Sequence, residues 1–154
     1  MRITISGTRS TGHRTKAEYH RLFRRYLAPF ATPEAEFFIG GAVGIDTLTL
    51  CWLNTHSESG LTVVVPCTVD QQPAEAREAI NAVRQAGRLA RLVELRQAET
   101  PSADAYHARN RWMVDRSDFV AAFPLSDDGS GGSGTWQTLN YAGNQGLPRL
   151  IVPV

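Results

Sequence analysis

Cysteine and lysine are scarce in this chain of 154 residues. It contains two cysteines, and Lys16 is the single lysine among 16 basic residues, so the other fifteen are arginine. Cys51 and Cys67 lack the spacing of metal ligands or of a redox pair, which excludes a disulfide framework and predicts free thiols. Arginine suits bidentate contacts with phosphate. A bias in codon composition is the alternative explanation of the arginine content for the chain as a whole.

An excess of charge and a long apolar run are also missing. The net charge is +1, so no bulk field favours nucleic acid or a membrane surface. No apolar run approaches the roughly 20 residues of a membrane span. Residues Met1–Ser6 lead directly into a strand-like run without the apolar core of a signal peptide. We therefore expect a cytoplasmic protein with no membrane partner, no metal and no cofactor.

Strand and helix patterns alternate from one end of the chain to the other. Short apolar runs predict strands, and apolar residues at helical spacing between them predict helices. Helical crossovers between buried strands are typical of parallel sheets. The sequence predicts an α/β fold, a single domain over 1–154 with a doubly wound, mainly parallel sheet and helices on both faces. The predicted strands are Arg2–Ser6, Glu36–Ile39, Leu61–Val65, Leu89–Leu95, Phe119–Phe123 and Leu150–Val154. The last two predicted helices are Ala103–Arg116 and Thr135–Asn144.

Two glycine-rich turns lie between a predicted strand and a predicted helix. The first runs from Gly40 to Asp46, and the second runs from Ser130 to Thr135. Helix N-termini present unpaired N–H groups, and glycine lets an anion approach them closely. The turns therefore predict a nucleotide or sugar-phosphate site. The alternatives are a flexible linker for the second turn and, for Asp46, pairing with the N-terminus of its own helix.

Two further segments are expected at the carboxyl edge of the sheet, where ligands of such folds bind. Gly7, Thr8 and Arg9 offer backbone donors, a hydroxyl and a charge, although an ordinary helix-capping turn fits them as well. Arg109 shares a helix face with Met113, and an arginine on an inward face needs an anionic partner. That partner is either a ligand phosphate or a carboxylate, with Asp115 and Asp118 as candidates.

Taken in order, these segments resemble the SLOG superfamily, which groups the DNA-processing DprA (Smf) proteins, the LOG phosphoribohydrolases and the YpsA-like proteins. Residues 40–46 resemble the Gly-x-Ala-x-Gly-Ile-Asp segment of DprA, and residues 109–111 its Arg-Asn-Arg segment. The opening at Gly7-Thr8-Arg9 is similar to that of YpsA-like proteins. The resemblance covers nearly the whole chain. It implies a Rossmann-like fold, a nucleotide-like ligand and a homodimer formed through helices beside the site.

The LOG enzymes provide the most informative comparison. His107-Ala108-Arg109 and Met113 resemble their His-Glu-Arg-Lys-x-x-Met helix, which implies a catalytic role for Arg109. Their Pro-Gly-Gly-x-Gly-Thr-x-x-Glu loop corresponds to residues 130–138, with Thr138 at the position of the catalytic glutamate. A carboxylate there would stabilise an oxocarbenium-like transition state, and threonine has no charge to do so. The binding half of the site is thus retained, while Asp46, Asp115 or Asp118 would have to replace the glutamate.

Our expectation is a protein that binds a nucleotide or nucleotide-derived ligand. The alternatives are a nucleoside 5′-monophosphate phosphoribohydrolase with a relocated carboxylate, for which Arg109 and Asp46 are the catalytic candidates, and a DprA-like module that binds single-stranded DNA. Near-neutral charge disfavours the DNA-binding alternative. The predicted ligand-binding residues are Gly7, Thr8, Arg9, Gly40, Gly41, Asp46, Arg109, Asn110, Gly131, Gly132, Gly134 and Thr135.

Overall fold

The computed structural model describes residues 1–96, 98–125 and 133–154. Within them, the strands are β1 (Arg2–Gly7), β2 (Glu36–Ile39), β3 (Gly60–Val65), β4 (Leu89–Glu94), β5 (Phe119–Phe123) and β6 (Arg149–Ile151). The helices are α1 (Lys16–Tyr26), α2 (Ile45–His56), α3 (Ala74–Gln85), α4 (Ala103–Val114) and α5 (Gly134–Asn144). Short 3₁₀ turns cover Ala28–Phe30 and Val69–Gln71. The predicted alternation of strands and helices is confirmed.

The six strands form one sheet in the order β4-β3-β2-β1-β5-β6, and each neighbouring pair is parallel. The chain moves outward from β1 to β4, then crosses back through α4 and continues outward on the other side with β5 and β6. This order confirms the predicted doubly wound, Rossmann-like α/β fold. It also places a topological switch point between β1 and β5, where the carboxyl ends of parallel strands leave a crevice.

Alternate residues of the central strands pack against different helices, because side chains of a strand point to opposite faces of the sheet. On one face, Ile3, Ile5 and Phe37 join α1, α2 and α3 in the larger apolar cluster. On the other face, Val120 and Ala122 pack with Leu139 and Ala142 of α5, while Phe38 and Val64 pack with Met113 of α4. Helices α4 and α5 therefore form a layer of their own.

Some predicted boundaries and environments differ from those observed. Strand β6 ends at Ile151, although the amides of Val152 and Val154 still donate to the carbonyls of Ala122 and Pro124. Of the three tryptophans, Trp52 is buried, whereas Trp112 in α4 and Trp136 in α5 are half-buried. None of the helices within the described ranges has the length and apolar character that crossing a membrane demands.

Candidate functional site

A cavity of about 720 Å³ opens at the switch point between β1 and β5. This volume lies within the range of roughly 300–1,000 Å³ typical of small-molecule sites. Three segments contribute most of its described wall: the loop after β1, the first two turns of α4 and the N-terminus of α5. The predicted site residues that line it are Gly7, Thr8, Arg9, Asp46, Arg109, Asn110, Gly134 and Thr135.

The loop after β1 is held in place by its own backbone. The N–H of Thr8 donates to the carbonyl of Phe123 at 3.0 Å, and the carbonyl of Thr8 accepts from the N–H of Ile45 at 3.0 Å. The hydroxyl of Thr8 accepts from the N–H of Ser10 at 3.1 Å. Two of the amides that the sequence suggested as phosphate donors are therefore already used. The loop instead presents the exposed side chain of Arg9 to the cavity.

Arg109 and Asp46 form a buried ion pair in the cavity wall. Their side chains are 4% and 8% exposed, and Nη1 of Arg109 lies 3.9 Å from Oδ2 of Asp46. Nη1 also donates to the carbonyls of Gly40 and, at 3.3 Å, of Val64. The partner of the arginine is thus Asp46, and not one of the two carboxylates considered from the sequence. Asp115 accepts from the hydroxyl of Tyr141, and Asp118 pairs with Arg2.

Burial opposes ionisation of both groups in this pair. It raises the pKa of Asp46 above its ordinary value, while the charge of Arg109 and the N–H of Ala42, which donates to Oδ2 at 3.1 Å, act in the opposite direction. Burial also lowers the pKa of Arg109, and Asp46 counteracts that effect. Each charge therefore depends on the other for its stability in this wall.

The glycines of the first turn make room for the protein's own groups. A Cβ on Gly40 would come within 2.7 Å of Oδ2 of Asp46 and would also meet the guanidinium of Arg109. A Cβ on Gly44, where φ is +80°, would lie 2.5 Å from the carbonyl oxygen of Thr8. Gly40 and Gly41 are absent from the described lining of the cavity. Their predicted contact with a ligand stays a prediction, whereas their packing role is visible.

The N-terminus of α5, where the second predicted turn ends, reaches the cavity wall, and anion binding there stays a prediction. The hydroxyl of Ser133 caps the helix by accepting from the N–H of Trp136 at 3.4 Å, and Gly134 and Thr135 line the cavity. Gly131 and Gly132 lie outside the described residues. The hydroxyl of Thr138 donates to the carbonyl of Gly134 at 2.7 Å, so this side chain is engaged within its own helix.

Tyr106 is a wall residue that sequence reasoning did not select. Two guanidinium groups lie near its ring, with Cζ of Arg9 at 4.6 Å and Cζ of Arg109 at 5.7 Å from the ring centroid. Aromatic rings attract cations in this way and can stack on nucleobases. The available signal was its position three residues before Arg109, which places both on one helix face.

The described residues contain no group of three or more His, Cys, Asp or Glu side chains able to hold a metal ion. Asp46 is the single carboxylate among the described residues that line the cavity. The described wall therefore combines two arginines, one carboxylate, a helix N-terminus and the rings of Tyr106, His107 and Trp136.

Comparison with solved structures finds the same fold in a DNA-processing protein. DNA processing protein A from Helicobacter pylori superimposes on the whole of this chain with a TM-score of 0.70 and 23% sequence identity. The chain corresponds to 66% of that protein, whose structure was reported for its mode of binding single-stranded DNA. No family model and no curated protein matches the chain. The similarity shows the Rossmann-like fold.

Proposed function

We propose that the protein binds a nucleotide or a nucleotide-derived ligand in the cavity at the switch point. The observation that carries this proposal is the convergence of Arg9, the Arg109–Asp46 pair and the N-terminus of α5 on one cavity of about 720 Å³. The positive end of the α5 dipole and Arg9 favour a phosphate. Tyr106 contacts the guanidinium of Arg9 through its ring, and Asn110, whose Oδ1 accepts from Nε of Arg109 at 2.8 Å, adds an amide N–H.

The roles within the site follow from exposure. Arg9 is exposed and makes no ion pair within the described residues, so its charge is available to an anion. Arg109 is tied to Asp46 and to two carbonyls, so this pair is fixed in the wall and its two charges largely offset each other. Thr135, which is buried at the start of α5, would support the phosphate through its N–H and hydroxyl. Gly131 and Gly132 are proposed to extend this turn.

The test is a binding screen of the purified protein against nucleoside mono-, di- and triphosphates, cyclic nucleotides and ADP-ribose. A ligand at about 100 times its Kd stabilises the folded state by roughly 2.7 kcal/mol, which thermal unfolding detects. Arg9→Ala should then weaken binding of the hit by about tenfold or more, because a charge-assisted hydrogen bond contributes ~1.5–3 kcal/mol.

Arg14→Ala is the matched control for this variant. Arg14 is another exposed arginine of the same connection, and it is absent from the described lining of the cavity. It should leave the affinity unchanged. If no ligand binds, or if both variants bind equally well, the assignment of the cavity is wrong.

Binding of single-stranded DNA is the second candidate, and the similarity to DNA processing protein A favours it. The phosphates of a strand would contact Arg9 and the N-terminus of α5, together with the exposed arginines of α1 at positions 21, 24 and 25. An increase in anisotropy of a labelled strand at low salt that falls steeply at high salt would support this function. No change at low salt would exclude it.

A phosphoribohydrolase is the third candidate, and the position of Asp46 makes it testable. Of the three carboxylates considered, Asp46 alone lines the cavity. An ionised carboxylate there could stabilise positive charge that develops on a ribose. The activity would be established if the protein releases free base and ribose 5-phosphate and if Asp46→Asn abolishes this release. It would be excluded if none of the nucleotides that the protein binds is hydrolysed. Formation of a homodimer stays a prediction in each case.

A further inference from the structure

A second groove adjoins the cavity on its α4–α5 side. It has a volume of about 300 Å³ and lies between the two helices. His107 and Asn110 line both spaces, so the cavity and the groove share a wall. On α5, the cavity contacts the first turn, and the groove continues one turn further with Gln137 and Thr138. The two spaces are therefore adjacent, and we call them together the extended groove.

Amide side chains dominate the lining of the second part. Asn110, Gln137, Asn140 and Asn144 all contribute. Asn140 and Asn144 are exposed, and neither side chain makes a hydrogen bond within the described residues. An amide offers a donor pair and an acceptor side by side, which matches the hydrogen-bonding edges of nucleobases. This chemistry differs from that of the first part, where arginine and a helix N-terminus face an anion.

A positive charge accompanies these amides. Arg111 lines the groove, is exposed and forms no ion pair in the described parts of the chain. No carboxylate is among the described residues that line the groove. Tyr141 also lines the groove, and its hydroxyl donates to Oδ1 of Asp115 at 2.7 Å, which links α5 to α4.

We propose that the extended groove binds two consecutive nucleotides joined by a phosphodiester, one in the cavity and one against the amides between α4 and α5. The proposal rests on the proposed function, because the first nucleotide occupies the cavity. The second volume is near the lower limit of about 300 Å³ for ligand sites, which suits one base and its sugar. Asn140 and Asn144 contact the base of the second nucleotide, and Arg111 contacts a phosphate.

The experiment compares nucleoside 5′-monophosphates with the corresponding 5′-phosphorylated homodinucleotides for all four bases, by calorimetry with the purified protein. For at least one base the dinucleotide should bind about tenfold tighter than the mononucleotide, which corresponds to ~1.4 kcal/mol. Arg111→Ala and Asn140→Ala should remove most of this gain and leave the affinity for the mononucleotide unchanged. Arg84→Ala, at an exposed position of α3 on the opposite face of the sheet, is the control and should change neither affinity.

The outcomes separate this inference from the proposed function. Loss of mononucleotide binding in Arg9→Ala reports on the cavity, whereas the additional affinity for the dinucleotide and its loss in Arg111→Ala report on the groove. The inference is overturned if no dinucleotide binds more tightly than its mononucleotide. It is also overturned if the groove variants change the oligomeric state instead of dinucleotide affinity, because the groove is then an interface between copies of the chain.

Binding of a longer strand shows whether the ligand of the groove is part of a nucleic acid or a free dinucleotide. A single strand of about ten nucleotides falls within the 4–16 nucleotides that one domain commonly covers. If it binds more than about tenfold tighter than the dinucleotide, a nucleic-acid strand supplies the unit. If it binds no tighter, a free dinucleotide does. In both cases Arg111→Ala should lower the salt dependence of binding by about one phosphate contact.

Discussion

Replacing Arg109 by methionine should expose how the cavity wall is stabilised. Methionine retains the length and apolar character of the stem but removes the guanidinium. The variant leaves Asp46 buried without its cation, and it leaves the carbonyls of Gly40 and Val64 without this donor. Removing one partner of a buried ion pair typically costs about 3–5 kcal/mol of stability. We expect a loss of that size at neutral pH.

The pH dependence of this loss identifies its cause. The folded-state pKa of Asp46 is already raised by burial, and it should rise further without Arg109. A carboxyl whose pKa is higher in the folded state destabilises the fold as pH rises through that pKa, because the unfolded chain holds the charge more easily. The free-energy difference between wild type and Arg109→Met should therefore shrink as pH falls and Asp46 takes up a proton. Each unit of pKa difference corresponds to about 1.36 kcal/mol.

The assay is urea unfolding of both proteins between about pH 5 and 8, fitted with a common slope. Adding Asp46→Asn to Arg109→Met removes the stranded charge, so the double variant should be more stable than Arg109→Met and should lose the additional pH dependence. Arg2→Met is the control, because Arg2 forms a solvent-exposed pair with Asp118, and its replacement should change stability little and with no comparable pH dependence. The reasoning would be refuted if Arg109→Met lost the same stability at every pH, or if the double variant were less stable than Arg109→Met.

Three further predictions concern stability and thiol accessibility. Gly40→Ala should lower the free energy of unfolding by about 1–3 kcal/mol, because the added Cβ would meet the guanidinium of Arg109. Gly12→Ala is the control and should not change the free energy of unfolding in urea, because its Cβ meets no atom within 4 Å. Thr15→Ala should cost about 0.5–2 kcal/mol in the same assay, because Thr15 forms a capping box at the start of α1. In a thiol-labelling assay Cys51 should react in the native protein and Cys67 only after unfolding, since the first is exposed and the second buried; equal rates would contradict this.

The order of secondary structure could be predicted because apolar periodicity is a local property of the sequence. The runs around Phe37 and Val63 predict buried strands, and the residues between them predict helices. The switch point required one further rule, that parallel crossovers are right-handed and keep helices on defined faces. The ends of elements are less predictable, because they depend on neighbours distant in sequence. The end of β6, for example, depends on pairing with β5 across the sheet.

The candidate site was predictable in its segments but not in its contacts. The loops after β1 and β2, helix α4 and the start of α5 converge as the fold requires. The identity of Arg109's partner was not predictable, because Asp46 is 63 residues away in sequence and reaches it through the turn after β2. The nearer carboxylates, Asp115 and Asp118, are held by Tyr141 and Arg2 instead. Sequence proximity gave no guide to which pair of charges shares the buried space.

A glycine-rich turn indicates that another group approaches the backbone closely. That group can belong to a ligand or to the protein itself. At Gly40 it is the guanidinium of Arg109, so the missing Cβ admits a cation from α4. Cζ of Arg109 and Cζ of Arg9 both lie near the ring of Tyr106. The first glycine turn therefore has a packing role, because it admits the Arg109–Asp46 pair to the cavity wall. In the proposed function a phosphate contacts Arg9 and the N-terminus of α5, so variants of these groups, and not of Gly40, test the ligand.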